Sequence, residues 1–201
     1  QNILATGVET KMNTCIGDGD GEISFKMLKE NYDAVYISIG AHTDKKLGLE
    51  GEDSKNVISA VDMLREIGDG AYPDYTGKRV VVVGGGNVAM DCARTAMRAN
   101  AETVSIVYRR RQEDMTALPA EVEGAIAEGI ELVTLKAPLR VEADAEGNAC
   151  ALWVQPQIIG PVKGGRPSPR KANKPEERME CDIVLVAIGQ DIVSGPFADF
   201  G

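Results

Sequence analysis

From Val80 to Gly189 the chain alternates short apolar runs with segments whose apolar residues recur at helical spacing. Residues 80–83, 104–107, 130–135 and 183–188 read as strands, and 87–98 and 119–128 as helices between them. Unbroken β-branched runs are what strands buried on both faces require, so the alternation predicts a parallel sheet covered by helices. The first of these helices turns Ala89, Cys92, Ala93 and Ala96 inward, and such small side chains allow close approach to a sheet. The second begins at Pro119, where the missing N–H costs nothing.

Before Val80 the pattern is less regular. A strand over 8–13, a helix over 24–31 and a strand over 34–39 closed by Gly40 predict one β-α-β unit. A polar loop over 45–54 leads to an amphipathic helix carrying Val57, Ile58, Val61, Leu64 and Ile67, and a connector over 68–77 follows. Beyond Leu135, segments 139–143 and 149–158 flank Asp-Ala-Glu-Gly-Asn and predict an antiparallel hairpin, with a third strand ending near Cys181. The stretch 160–175, rich in glycine, proline and basic residues, predicts a mobile surface loop. The fold class expected is α/β: a Rossmann-like parallel sheet with an inserted antiparallel β-meander, preceded by a partial β-α-β unit. Two apolar strands stopped by glycine, 36–40 and 184–189, echo one another and suggest two related nucleotide-type units.

Composition narrows the partners. A chain of 201 residues with 43% hydrophobic residues is an ordinary globular sequence, and its net charge of -9 argues against general binding to nucleic acid or anionic membrane. Four widely spaced cysteines, Cys15, Cys92, Cys150 and Cys181, form no Cys-x-x-Cys pair, so buried free thiols in a reducing cytosol are expected. No apolar run reaches the ~18 residues of a membrane span, and no signal-peptide pattern opens the chain, which gives a cytoplasmic location as the default. The start at Gln1, in what reads as the end of a helix, suggests a piece of a larger protein.

The strongest chemical signal is the turn after residue 83. Gly84-Gly-Gly-Asn-Val-Ala89 follows a strand and opens a helix, which is the context a dinucleotide fingerprint needs. Gly84 permits a sharp turn, Gly86 lets backbone approach a pyrophosphate, and Ala89 packs the helix on the sheet. The N–H groups of Gly84, Gly85, Gly86, Asn87 and Val88, at the positive end of the helix, would hold the phosphates. About 20 residues on, an NAD site carries a carboxylate for the ribose 2′-hydroxyl. Here the strand ends in Tyr108, Arg109, Arg110 and Arg111. Guanidinium forks suit a 2′-phosphate, each charge-assisted hydrogen bond contributing ~1.5–3 kcal/mol, so Arg109 and Arg110 favour NADP(H), with NAD possible. The alternative is a solvated basic turn paired with Glu113 and Asp114. Ile188 and Gly189 end a strand at the carboxyl edge, where ligands of such sheets bind, and are secondary contact candidates; Gly189 could equally be a turn residue.

Other features offer less. Asp18-Gly-Asp-Gly-Glu-Ile23 resembles the centre of a calcium loop, but Ile16 and Met27 occupy the first and twelfth ligand positions. His42, the single histidine, has no nucleophile or acid arranged around it and reads as loop packing. The basic stretch 163–178 lacks an aromatic residue for stacking bases. Trp153 reads as strand packing.

Residues 80–91, Tyr108-Arg-Arg-Arg-Gln-Glu-Asp-Met-Thr-Ala117, 121–129 and 184–189, with the linker-like 39–53, together resemble the glutamate synthase small-subunit type of NADPH-dependent flavin oxidoreductase. That pyridine nucleotide-disulfide oxidoreductase-like group includes dihydropyrimidine dehydrogenase and the electron-bifurcating ferredoxin-NADP transhydrogenases. The resemblance implies a nicotinamide-nucleotide domain inserted in an FAD domain, hydride transfer between NADPH and FAD, and onward passage of electrons to an iron-sulfur domain or subunit. On that basis 1–76 is a partial FAD-domain segment with a linker helix, 77–189 the NAD(P)-binding domain, and 190–201 a crossover toward the missing FAD domain. The resemblance also places Asp91 near the flavin–nicotinamide junction, although Asp91 could instead form a helical ion pair with Arg94. No second glycine fingerprint and no cysteine cluster is present, so FAD is expected in the full-length protein only, and the isolated piece is expected to be inactive. A non-catalytic NAD(P)-binding or sensory module is the alternative. A short-chain dehydrogenase is disfavoured by the absence of Tyr-x-x-x-Lys.

Overall fold

A computed structural model describes residues 4–17, 19–195 and 197, and the chain divides into two compact units, Gln1–Ala41 with Ile192–Gly201, and His42–Asp191. The sheet-bearing unit thus begins at His42 and takes in the segment that sequence reading set apart as a linker.

In the smaller unit the helix α1 (Phe25–Asn31) starts where Ser24 accepts a hydrogen bond from the Met27 N–H at 3.1 Å. The strands expected over 8–13 and 34–39 are not formed. A strand exists only through its ladder, and among the described residues 34–39 has no partner strand; Tyr36 is 92% exposed. The β-α-β unit therefore reduces to its helix. Asp18 of the calcium-like turn lies outside the described residues, and the Glu22 carboxylate caps the Gly19 N–H at 2.9 Å.

The larger unit runs β1 (Thr43–Asp44), β2 (Val57–Ser59), α2 (Ala60–Gly68), β3 (Arg79–Val83), α3 (Asn87–Arg98), β4 (Thr103–Tyr108), α4 (Pro119–Ala127) and β5 (Glu131–Thr134). It continues through β6 (Lys136–Ala143), β7 (Ala149–Lys163), β8 (Arg166–Lys171), β9 (Glu177–Glu180), β10 (Ile183–Val186) and β11 (Gln190–Asp191). The α/β class with a parallel sheet and an antiparallel insertion is as expected. Five strands form the sheet in the order β2-β10-β3-β4-β5, every pairing parallel. From β3 the chain goes to β4 on one side and returns later as β10 on the other, so the strand order reverses at β3 and leaves a crevice at its carboxyl end.

The valines of β3 divide by parity. Val80 and Val82 face the helices, in a cluster with Met63, Met90, Ala93, Ile106 and Ala125. Val81 and Val83 face the antiparallel meander, in a second cluster with Val141, Leu152, Val154, Cys181 and Val186. Successive side chains on a strand point to opposite faces, so one apolar run serves both cores. The meander thus covers the face that helices would otherwise cover.

Two expectations need correction in this unit. Residues 57–59 are strand and not helix, because Val57 and Ile58 extend the sheet beside Val184 and Leu185, and α2 starts only after Ser59 caps the Val61 and Asp62 N–H groups. The expected loop 160–175 is largely a hairpin: β7 runs on to Lys163 and pairs antiparallel with β8. Gly164 and Gly165, with φ of 56° and 80°, form the two-residue turn whose left-handed backbone matches strand twist. Pro167 and Pro169 fit because β8 is an edge strand, where missing N–H groups break no central ladder.

Candidate functional site

A cleft of about 550 Å³ opens at the carboxyl end of β3, within the size range of nucleotide pockets. Gly84, Gly85, Gly86, Asn87 and Val88 form its floor, Arg109 and Arg110 one end, and Ile188 and Gly189 the other. Nine of the ten candidates are therefore brought together. The exception is Asp91, which stands exposed on α3 away from the cleft, with no hydrogen bond or salt bridge among the described residues. The alternative pairing with Arg94 is also absent among the described residues, because Arg94 reaches across to Glu121 and Glu128 at 3.0 and 2.8 Å.

The three glycines are required for different reasons. Gly84 adopts φ 153°, and a Cβ there would lie 2.3 Å from the Ala187 carbonyl oxygen of the strand beside it. A Cβ on Gly85 would strike the Tyr108 ring at 2.5 Å, so this glycine answers to packing. Gly86 has only the Thr116 hydroxyl at 3.4 Å, which leaves the space over the helix end open to a ligand. Gly86 is the N-cap of α3 and offers no side chain to it. Ala89 and Met90 N–H groups bond back to the Gly86 carbonyl, whereas the Asn87 and Val88 N–H groups have no protein acceptor among the described residues. Open donors at the positive end of a helix have the chemistry to hold an anion. The Asn87 side chain is occupied elsewhere: its Oδ1 accepts the Leu118 N–H at 2.9 Å and so ties α3 to the start of α4.

The loop after β4 is fixed onto this floor. Thr116 and Ala117 N–H groups donate to the Gly85 carbonyl at 2.9 and 3.1 Å, and the Tyr108 hydroxyl donates to the Asp114 carbonyl at 2.8 Å. The arginines then separate. Arg111 is taken by carboxylates, its Nε donating to Asp114 at 2.9 Å and its Nη1 lying 2.9 Å from Glu113. That pairing holds the Asp114 carboxyl below its usual range and the Arg111 guanidinium above its own. Arg109 and Arg110 have no carboxylate within salt-bridge distance among the described residues. The ion-paired reading of the basic run thus applies to Arg111, and Arg109 and Arg110 are left without such pairs.

Several cleft residues escaped sequence reasoning. Leu47 and Leu49 come from the loop read as polar, Ala60 and Val61 from the first turn of α2, Ala137 and Pro138 from β6, and Arg166 from β8. The Gly164-Gly165 dipeptide was a usable signal for the hairpin that delivers Arg166. His42, expected to pack, is exposed. The four cysteines are free, but only Cys92 and Cys181 are fully buried, and burial pushes both thiols up to about 12. Trp153 packs in the meander beneath Arg140, 4.2 Å from the ring centroid, and donates to Glu142 at 2.6 Å.

Comparison with known proteins identifies the family and the fold. The model of the family described as Pyridine nucleotide-disulphide oxidoreductase matches residues 5–196. The chain is 40% identical over 193 residues to the NADPH-Fe(3+) oxidoreductase subunit beta of Geobacter sulfurreducens, covering 94% of this chain and 28% of that protein. It is 33% identical to the glutamate synthase [NADPH] small chain of Escherichia coli, covering 91% of this chain and 40% of that one. The chain thus spans well under half the length of these relatives. Among solved structures, FprA of Mycobacterium tuberculosis in complex with NADPH superposes with a TM-score of 0.69 at 20% identity, over 84% of this chain and 52% of that one. A thioredoxin reductase of T. acidophilum follows at 0.59 and 19%, over 78% and 44%. At such identity these two show the fold.

Proposed function

The chain belongs to the pyridine nucleotide-disulphide oxidoreductase family, and from that premise we propose that it is the NADP(H)-binding portion of a flavin oxidoreductase. In this reading hydride passes between NADPH and an FAD held elsewhere in the intact protein, and electrons go on to iron-sulfur centres, as the resemblance to glutamate synthase small subunits implies. The observation that carries it is the combination of unpaired Asn87 and Val88 N–H donors with Arg109 and Arg110, which lack carboxylate partners, at two stations of one cleft.

The residues supply binding and orientation. The N–H groups at the start of α3 hold the pyrophosphate, and the arginines at the end of β4 hold the adenosine end through its 2′-phosphate. A dinucleotide so anchored extends its other half toward Ile188 and Gly189. There the Gly189 carbonyl accepts the Lys45 N–H at 3.1 Å, which fixes the loop against that end. The cofactors supply the redox chemistry, a two-electron hydride transfer from nicotinamide to flavin. Asp91 lies outside the cleft and takes no part in holding the nucleotide.

Titration of the intact protein with NADPH and NADH, followed by nucleotide fluorescence, tests the reading. NADPH should bind more tightly, and its affinity should fall as salt is raised. Tight binding of NADH with no preference for NADPH would remove the arginine assignment.

A further inference from the structure

The β7–β8 hairpin reaches the arginine end of the cleft, although it belongs to the inserted meander and not to the nucleotide-binding strands. Arg110 Nε donates to the Pro167 carbonyl at 2.9 Å, and the Arg110 carbonyl accepts the Leu135 N–H at 3.0 Å. Leu135 in turn accepts the Gln157 N–H of β7 at 2.7 Å. The β4 loop and the hairpin are therefore joined through Arg110. Arg166, next to Pro167 and just after the Gly164-Gly165 turn, lines the cleft together with Arg109 and Arg110. It is exposed, and its side chain forms no hydrogen bond or salt bridge among the described residues.

We propose that Arg166 is a specificity-determining residue: with Arg109 it grips the 2′-phosphate of NADP(H) from the hairpin side, so that the meander reads the phosphate that distinguishes NADP from NAD. The inference deepens the NADP(H) reading above and rests on it. A phosphate monoester presents three oxygens around a tetrahedron, and one planar guanidinium engages at most two of them. A second fork from a separate element can take the remainder. Other arginines of the unit are committed elsewhere: Arg111 is held by Glu113 and Asp114, Arg94 by Glu121 and Glu128, Arg178 by Glu142 and Arg140 by Glu176, while Arg170 of the same hairpin does not line the cleft. Arginines with no carboxylate partner at one cleft mouth favour an anionic 2′-phosphate over a neutral ribose 2′-hydroxyl. Arg110 places the hairpin through its bond to Pro167.

The test measures dissociation constants of the intact protein for NADPH, NADH and 2′,5′-ADP, the last carrying the 2′-phosphate without nicotinamide. Arg166→Ala should weaken NADPH and 2′,5′-ADP by about 10- to 100-fold, the loss of one charge-assisted pair, and leave NADH unchanged. Arg166→Gln should behave as Arg166→Ala, and Arg166→Lys should recover part of the loss. Because Arg166 is exposed, the thermal midpoint should not move, which separates lost recognition from lost folding. If the wild type prefers NADPH and Arg166→Ala changes neither constant, the hairpin assignment is overturned while the NADP(H) reading stands. If the wild type shows no preference for NADPH, the reading beneath it fails as well.

Discussion

The two ends of β3 use the same residue type in opposite ways. At its amino end Arg79 is saturated: its Nε lies 3.0 Å from Asp182, its Nη1 reaches Glu180, and its backbone N–H donates to Asp182 at 2.8 Å. At its carboxyl end Arg109 and Arg166 stand at a cleft with no carboxylate partner among the described residues. The first arrangement joins β3 to the start of β10, and two carboxylates already meet the charge of the guanidinium. The second leaves two guanidinium groups at the cleft with no carboxylate within salt-bridge distance among the described residues, which is what the proposed 2′-phosphate site uses. An arginine in sequence is therefore not yet a phosphate ligand; the carboxylates that the fold brings to it decide. Arg111, two residues from Arg109, falls on the saturated side of that division.

The contrast can be broken most severely at the junction of β3 with β10. Gly84→Val places a branched side chain at φ 153° against the Ala187 carbonyl, and should cost about 3 kcal/mol in denaturant unfolding as well as abolish NADPH binding. If binding survived that change, the glycine turn would not be the cleft floor. Next in size, Arg109→Ala should weaken NADPH by about 10- to 100-fold with no change in the thermal midpoint. A large loss of stability instead would place Arg109 with Arg79, on the structural side. Asp182→Ala should do the reverse, lowering stability by about 1–2 kcal/mol and leaving the NADPH dissociation constant alone.

Acidity separates the two ends further. Arg79 holds the Asp182 carboxyl below the ordinary aspartate value of 3.8, so its folded pKa is depressed. The stability it contributes is fully present above that value and is lost as pH falls below 3.8 through the folded pKa. A 2′-phosphate loses its second charge nearer pH ~6, so NADPH affinity should decline well before stability does. Equilibrium unfolding and nucleotide titration across pH 3–7 check the order, and simultaneous loss of both would contradict it. The smallest effect expected is at Asn87→Ala, which removes the acceptor for the Leu118 N–H; about 1 kcal/mol should be lost in unfolding, with little change in nucleotide affinity.

The parts of the site that could be read in advance are local. The turn at Gly84–Gly86 follows a run of valines and precedes small residues at helical spacing, so strand, turn and helix are specified by neighbours within a few positions. The basic run after β4 was equally visible, but its division among three arginines was not, because that depends on where Asp114 comes to rest. The strands that failed in the smaller unit had suitable composition at 34–39 but no partner to pair with among the described residues. In 160–175 the composition of a loop concealed a hairpin, since proline is tolerated on an edge strand and sequence does not say which strand is the edge.

By itself, then, the sequence determined the α/β alternation, the glycine turn and the basic character of the β4 end, because periodicity and turn chemistry act over a few residues. Only the tertiary structure decided that the meander packs on the second face of the sheet, that Asp91 lies outside the cleft lining, and that Arg166 comes to the same opening as Arg109. Those facts depend on long-range pairing of β7 with β8 and of β10 with β3, and no local pattern encodes which of two compatible partners a strand will meet.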